Sequence, residues 1–268
     1  MHHPNIVQFW GSVQEAPNFC LITELCEGSV VDLLQLVRIE KVNVTWRLLK
    51  NITSGAAEAM KYLHYDCETQ IIHRDLKAEN LLLDRKFVCK LTDFGLSRII
   101  SEGEANKTSH MTMCGTPSWV APEIFKGEAY NHKIDVYSFG VVMWELCCFR
   151  KPYIGENPVK LPFRVALQNL RPPISPHIPE FFAKVMCDCW DGDPAKRPDF
   201  KEITERLMNA EKLLQEKGSE GQAPVDLDEA VDITKVSNNI YKAQKKEMRA
   251  AAKIAIPGEI VEDDEEKG

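Results

Sequence analysis

A chain of 268 residues with 44% apolar side chains is long enough to bury one sizeable core, so one domain with an appendage is expected. Its formal charge of -7 collects mostly past Gly218, and no basic stripe marks a nucleic-acid footprint, which argues against a nucleic-acid partner. Nine cysteines, without the spacing of a zinc knuckle or a redox CxxC, are expected as reduced, mostly buried thiols.

In chain order, residues 1–10 hold two histidines, a proline and an asparagine and do not read as the apolar core of a signal peptide. Residues 6–9 and 19–24 read as two short strands around the turn-prone Glu15-Ala16-Pro17-Asn18. From 46 to 65, Trp46, Leu49, Ile52, Ala56, Met60 and Leu63 recur at the spacing of an amphipathic helix. Ile71-Ile72 precedes a polar cluster. Residues 81–83 and 87–91, separated by Asp84-Arg85-Lys86, then suggest a small hairpin, and a polar cluster between strands is a natural place for a site.

Residues 96–118 are polar and aperiodic and read as a long exposed, functional loop. Residues 134–149 are apolar on nearly every side, as a helix buried mid-domain should be; within them the richest apolar stretch, 139–149, is interrupted by Glu145 and is too short to span a bilayer. A cytoplasmic or nuclear protein is therefore expected. Further helices are predicted over 179–190 and 200–216, the second behind an Asp199 cap. Past Gly218 the composition shifts. Residues 226–255 are charged with a loose apolar face and suit a linker, a helix packed back on the body or a partner-binding helix; 262–266 is a like-charge block expected to be solvated.

The polar cluster is His73-Arg74-Asp75-Leu76-Lys77-Ala78-Glu79-Asn80; Asp93-Phe94-Gly95 and Ala121-Pro122-Glu123 follow it. Order and spacing resemble the catalytic loop and activation segment of eukaryotic protein kinases over roughly residues 1–215. The resemblance implies an α+β, protein-kinase-like fold: mainly the helical C-lobe, with remnant N-lobe strands, over 1–216, and a charged tail over 217–268.

It also implies a chemistry, transfer of the ATP γ-phosphate to a protein hydroxyl. Asp75 would orient the attacking hydroxyl and Lys77 would sit against the transferring phosphate. Asn80 and Asp93 would offer hard oxygen ligands to Mg²⁺, whereas His73 is expected to pack, because magnesium prefers oxygen. On the adenine side, Thr23 resembles the gatekeeper, Glu24 to Cys26 the hinge, and Leu82 the residue beneath the ring. Asp135 resembles the buried aspartate that anchors the catalytic loop, and Arg197 the partner of Glu123.

Gly115-Thr116-Pro117 together with Lys77 is similar to serine/threonine rather than tyrosine kinases, and its hydroxyl could brace the catalytic aspartate. Ser118-Trp119-Val120 and Val142-Met143-Trp144-Glu145-Leu146 resemble the tyrosine-kinase-like group, which includes Raf-like and mixed-lineage kinases. Arg74 before Asp75 implies control by a phosphate on the activation loop, with Thr108, Ser109 and Thr112 as candidate acceptors for an upstream activating kinase. Cys114 is expected to be inert.

The resemblance is incomplete. His3-Pro4-Asn5-Ile6-Val7 matches the link into the family's fourth strand, and these 268 residues hold no Gly-rich loop, no phosphate-pairing strand lysine and no partner glutamate. Truncation at the N-terminus is expected: a fragment, or a late-started record, of a working enzyme, as the intact Asp75, Lys77, Asn80 and Asp93 suggest. The alternative is an inactive lobe serving as a scaffold or binding module.

Overall fold

The computed structural model describes residues 1–40, 44–100 and 115–216. Its architecture is α+β: small antiparallel sheets at one side and a larger helical body. The first sheet is a hairpin of β1 (Phe9–Glu15) and β2 (Asn18–Thr23), in register from Glu15 opposite Asn18 to Gly11 opposite Ile22, with a shift of register before Phe9, which lies opposite Thr23. The strand expected over 6–9 is thus displaced. Ile6 makes a single parallel bridge to Leu91, and Val7 N–H donates to Leu91 O at 2.9 Å.

A three-stranded sheet follows, in the order β3 (Gly28–Ser29), β5 (Leu81–Leu83), β6 (Cys89–Leu91). The hairpin predicted from 81–83 and 87–91 is therefore present, with its second strand starting at Cys89. Phe87, at φ 59°, takes a left-handed turn conformation instead of extending the strand. The third sheet pairs β4 (Gln70–Ile72) with β7 (Arg98–Ile100), so the segment read as one loop over 96–118 begins with a short strand.

The helices build the body. α1 (Val30–Glu40), which the apolar periodicity did not announce, starts behind Ser29, whose hydroxyl accepts from Asp32 N–H at 3.2 Å while the Asp32 carboxylate accepts from Ser29 N–H at 2.6 Å. α2 (Trp46–Lys61) is capped by Thr45, whose hydroxyl accepts from Leu48 N–H, and continues through one wider turn, Tyr62–Asp66. Leu49, Ile52, Ala56, Met60 and Leu63 are all buried, so the predicted apolar face is the core face.

α3 (Pro122–Phe125) is one short turn, and α4 (Lys133–Cys148) runs through the middle of the body, buried almost throughout. Gly140 allows α6 (Glu180–Cys189) to lie directly against α4: a Cβ there would meet Cys189 Cβ at 2.9 Å and Met186 O at 3.1 Å. α5 (Leu161–Leu167) packs on α3, and α7 (Phe200–Glu216) packs on α2. Asp199 caps α7 as predicted, its carboxylate accepting from Glu202 N–H at 2.9 Å. No helix among the described residues is long and apolar enough to cross a membrane. The tail, Cys114 and the candidate acceptors Thr108, Ser109 and Thr112 lie outside the described residues.

Candidate active site

The loop between β4 and β5 carries the polar cluster, and its shape is set from beneath by one buried carboxylate. Asp135, on α4, is fully buried; its Oδ2 accepts from His73 N–H at 2.9 Å and lies 2.8 Å from His64 Nε2, while Oδ1 accepts from Arg74 N–H at 2.9 Å. Burial alone would push this carboxyl up. The His64 contact and the backbone donors outweigh it and hold Asp135 below the ordinary carboxylate range. These bonds hold Arg74 in the left-handed region, at φ 68°, a strained setting for a side chain of that size.

Two residues of strained backbone therefore flank the site, the second being Asp93 at φ 63°. His73 joins them. Its ring is fully buried, lies 3.0 Å through Nε2 from Thr92 O and packs edge-on against Phe94 at 5.3 Å. It is a packing residue, as the sequence predicts.

Above this floor, Asp75 sits in a closed ring of contacts. Lys77 Nζ is 2.7 Å from Asp75 Oδ2 and donates to Thr116 Oγ1 at 3.1 Å; Thr116 donates to Asp75 Oδ1 through both its N–H and its hydroxyl, each at 3.1 Å. Burial would raise the Asp75 carboxyl, but the hydrogen bond and charge of Lys77, joined by Thr116, hold it below its usual range. It is ionised at neutral pH. The approach of residues 115–116 needs glycine: at Gly115, φ is +96° and a Cβ would meet Arg74 O at 2.9 Å.

Asn80 is buried and donates through Nδ2 to Asp75 O at 2.8 Å, which leaves its amide oxygen as the available ligand. Asp93 is exposed, with Oδ1 accepting from Gly95 N–H at 3.3 Å. Both ends offer the hard oxygens that magnesium takes, so the donor chemistry fits that ion. Among the described residues no cluster of three or more His, Cys, Asp or Glu is arranged to hold a metal by itself.

The four residues expected near adenine lie on and beside the strands leading away from the hairpin. Thr23 is exposed at the end of β2. The Glu24 carboxylate accepts from Gln8 N–H at 2.7 Å and from Lys90 Nζ at 3.0 Å. Glu27 N–H donates to Leu83 O at 2.9 Å, so the linker holding Cys26 runs beside the strand that carries Leu82. Burial, then the charge of Glu24, pushes the Cys26 thiol up to about 11.

Several supporting residues escaped the reading of the sequence. His64 was visible only as a polar residue inside an otherwise apolar helical face. Trp119 Nε1 donates to buried Glu145 at 3.2 Å, and Lys151 lies 3.6 Å from Glu79; neither partner is close in sequence. Arg197 and Glu123 meet as the sequence predicts, in a buried two-pronged pair at 2.7 and 2.8 Å.

Comparison with known proteins agrees with this geometry. The family model described as protein tyrosine and serine/threonine kinase matches residues 1–207. The chain is similar to "Serine/threonine-protein kinase STY46" of Arabidopsis thaliana, at 37% identity over 223 residues, and to "Probable serine/threonine-protein kinase drkB" of Dictyostelium discoideum, at 37% identity over 212 residues. These alignments cover 82% and 79% of this chain but only 37% and 29% of the relatives, so the chain spans about a third of their length. With the site geometry, these matches show that the chain belongs to the protein tyrosine and serine/threonine kinase family.

Proposed function

We propose that the described residues form the hydroxyl-acceptor and metal side of a protein serine/threonine kinase site, and that residues 1–268 as an isolated polypeptide bind rather than catalyse. The observation that carries this reading is a contrast within one molecule. The Asp75–Lys77–Thr116 ring is closed at 2.7 to 3.1 Å, whereas the neighbouring hairpin leaves Trp10 71%, Phe19 73% and Leu21 77% exposed. Apolar surface of that kind marks a place where another protein surface belongs. The 268 residues also hold no Gly-rich loop or strand lysine to clamp the nucleotide phosphates.

In a complemented site, Asp75 would receive a serine or threonine hydroxyl, Lys77 would neutralise the phosphoryl oxygens, and Asn80 with Asp93 would hold Mg²⁺, which draws charge from the ATP phosphates when bound. The tyrosine-kinase-like assignment and an upstream activating kinase belong to the same reading, supported by the residues around Trp119 and by Arg74.

The test compares the purified chain with its Asp75→Asn variant in phosphate transfer from Mg²⁺-ATP to a serine-rich protein. Equal, background transfer is expected. Transfer that depends on Asp75 would overturn the binding-only half. The catalytic half is tested by joining the small-lobe strands of a relative to residue 1. Asp75-dependent transfer should then appear, and its absence in a folded chimera would remove that claim.

A further inference from the structure

One buried carboxyl outside the Asp75 ring has none of the roles in phosphoryl transfer assigned above. Glu145, well inside α4, is 1% exposed, and its Oε2 accepts from Trp119 Nε1 at 3.2 Å. The charged groups facing it are Glu79 of the catalytic loop and Lys151, just past the end of α4. Glu79 turns Oε1 toward Lys151 Nζ at 3.6 Å, while its Oε2 is shut away from solvent and accepts no hydrogen bond from any described residue. α4 packs on both the Ala78–Asn80 turn, which holds Glu79, and the Pro117–Trp119 turn.

An anionic Glu145 would place a second negative charge in this low-dielectric setting, with one exposed lysine to balance two carboxylates. A proton on Glu145 removes that charge and supplies the donor that Glu79 Oε2 lacks. We infer that Glu145 is a positioning residue held as a neutral acid, its O–H donating to Glu79 Oε2 while its other oxygen accepts from Trp119, so that it ties the catalytic loop to the segment bracing Asp75. Burial, followed by the charge of Glu79, pushes the Glu145 carboxyl up to about 8, which agrees with this arrangement. The tie is a property of the folded lobe and holds whether or not the chain transfers phosphate.

Its pH signature has a definite sign. In the unfolded chain Glu145 loses its proton near the ordinary value of 4.5, whereas the folded chain keeps it to about 8. Between those values the folded state binds the extra proton, so this contribution to stability falls as pH rises and levels off above about 8. Glutamine copies the neutral acid, with an N–H donor for Glu79 and an oxygen for Trp119, but does not titrate.

Thermal unfolding of the full chain and its Glu145→Gln variant is compared from about pH 5 to about pH 9. The variant is expected to match the parent at the acid end and to become progressively the more stable of the two, the gap flattening past about pH 8. A gap that stays constant overturns the neutral acid. Should the variant fail to fold, an NMR titration of the parent's glutamate carboxyls decides: a Glu145 signal in the ordinary carboxylate range sinks the proposal. The Glu79→Gln variant should lower the Glu145 midpoint, and an unmoved midpoint would refute the link to Glu79.

Discussion

The helical body and the β1–β2 hairpin use their side chains in opposite ways. In the body, even charged groups are buried and matched: Arg197 with Glu123, Asp135 with His64 and two backbone N–H groups. In the hairpin, both faces stay wet and large apolar groups such as Phe19 and Leu21 stand in solvent. Buried pairs of this kind are costly to break because the surviving partner cannot reach water. The body thus matches its buried charges and holds the His73–Asn80 loop in place, whereas the hairpin leaves its large apolar side chains exposed.

The largest effect should come from breaking the matched interior. Arg197 is 1% exposed, packs over the Tyr137 ring at 5.2 Å and also donates to Lys133 O and Asp191 O. Replacing it by leucine strands the Glu123 carboxylate and should cost about 3–5 kcal/mol in urea unfolding. The double variant Arg197→Leu with Glu123→Leu should recover part of that loss. A single-variant cost under about 1 kcal/mol would mean that the pair is as wet as a surface bridge.

A smaller effect is expected at Asp135. Asparagine offers one oxygen where the carboxylate offers two, so at least one of the His73 and Arg74 N–H groups loses its acceptor, at about 1–3 kcal/mol. Acid sharpens the comparison. Because the folded Asp135 carboxyl is held below its ordinary range, its contribution is complete above about 3.9 and is lost as pH falls through the depressed value. The gap between Asp135→Asn and the parent should therefore close in strong acid. A gap independent of pH would show that Asp135 does not titrate with folding. Glu145 should behave with the opposite sign, its share waning toward alkaline pH.

The same contrast explains what could be read from the sequence. Where burial dictates residue type, the pattern was plain: α2 shows its apolar stripe, α4 is apolar all round, and the catalytic-loop signature lies on the short connection between β4 and β5. In the hairpin no face is buried, so alternation carries little information. The first strand was placed at 6–9, whereas Gly11, Ser12, Gln14 and Glu15 belong to β1. α1 begins with Val30-Val31, which reads as strand, and its real signal is the Ser29-x-x-Asp32 capping pair. β7 is three residues long and pairs with distant β4, so no local pattern marks it. Of the site, Asp75, Lys77, Asn80 and Asp93 stand in motifs, but the links through His64, Trp119 and Glu145 join residues far apart in sequence and appear only once the helices pack.

The smallest expected effect separates the two regions most directly. Phe19 and Leu21 lie on β2 at 73% and 77% exposure, so in the chain alone Phe19→Ser or Leu21→Ser removes little buried surface. Each should change unfolding free energy by no more than about 0.5 kcal/mol, within the range of ordinary surface substitutions. Joining the small-lobe strands of a relative to residue 1 should change that result. If those strands cover the hairpin, each substitution should then cost about 1.5–3 kcal/mol, the value of burying a large apolar side chain. A shift from negligible to large cost, read by urea unfolding of the chain and the extended chain side by side, would identify the hairpin as the surface those strands cover. Equal small costs in both would mean that the added strands pack elsewhere, and the open apolar face would then belong to a different partner.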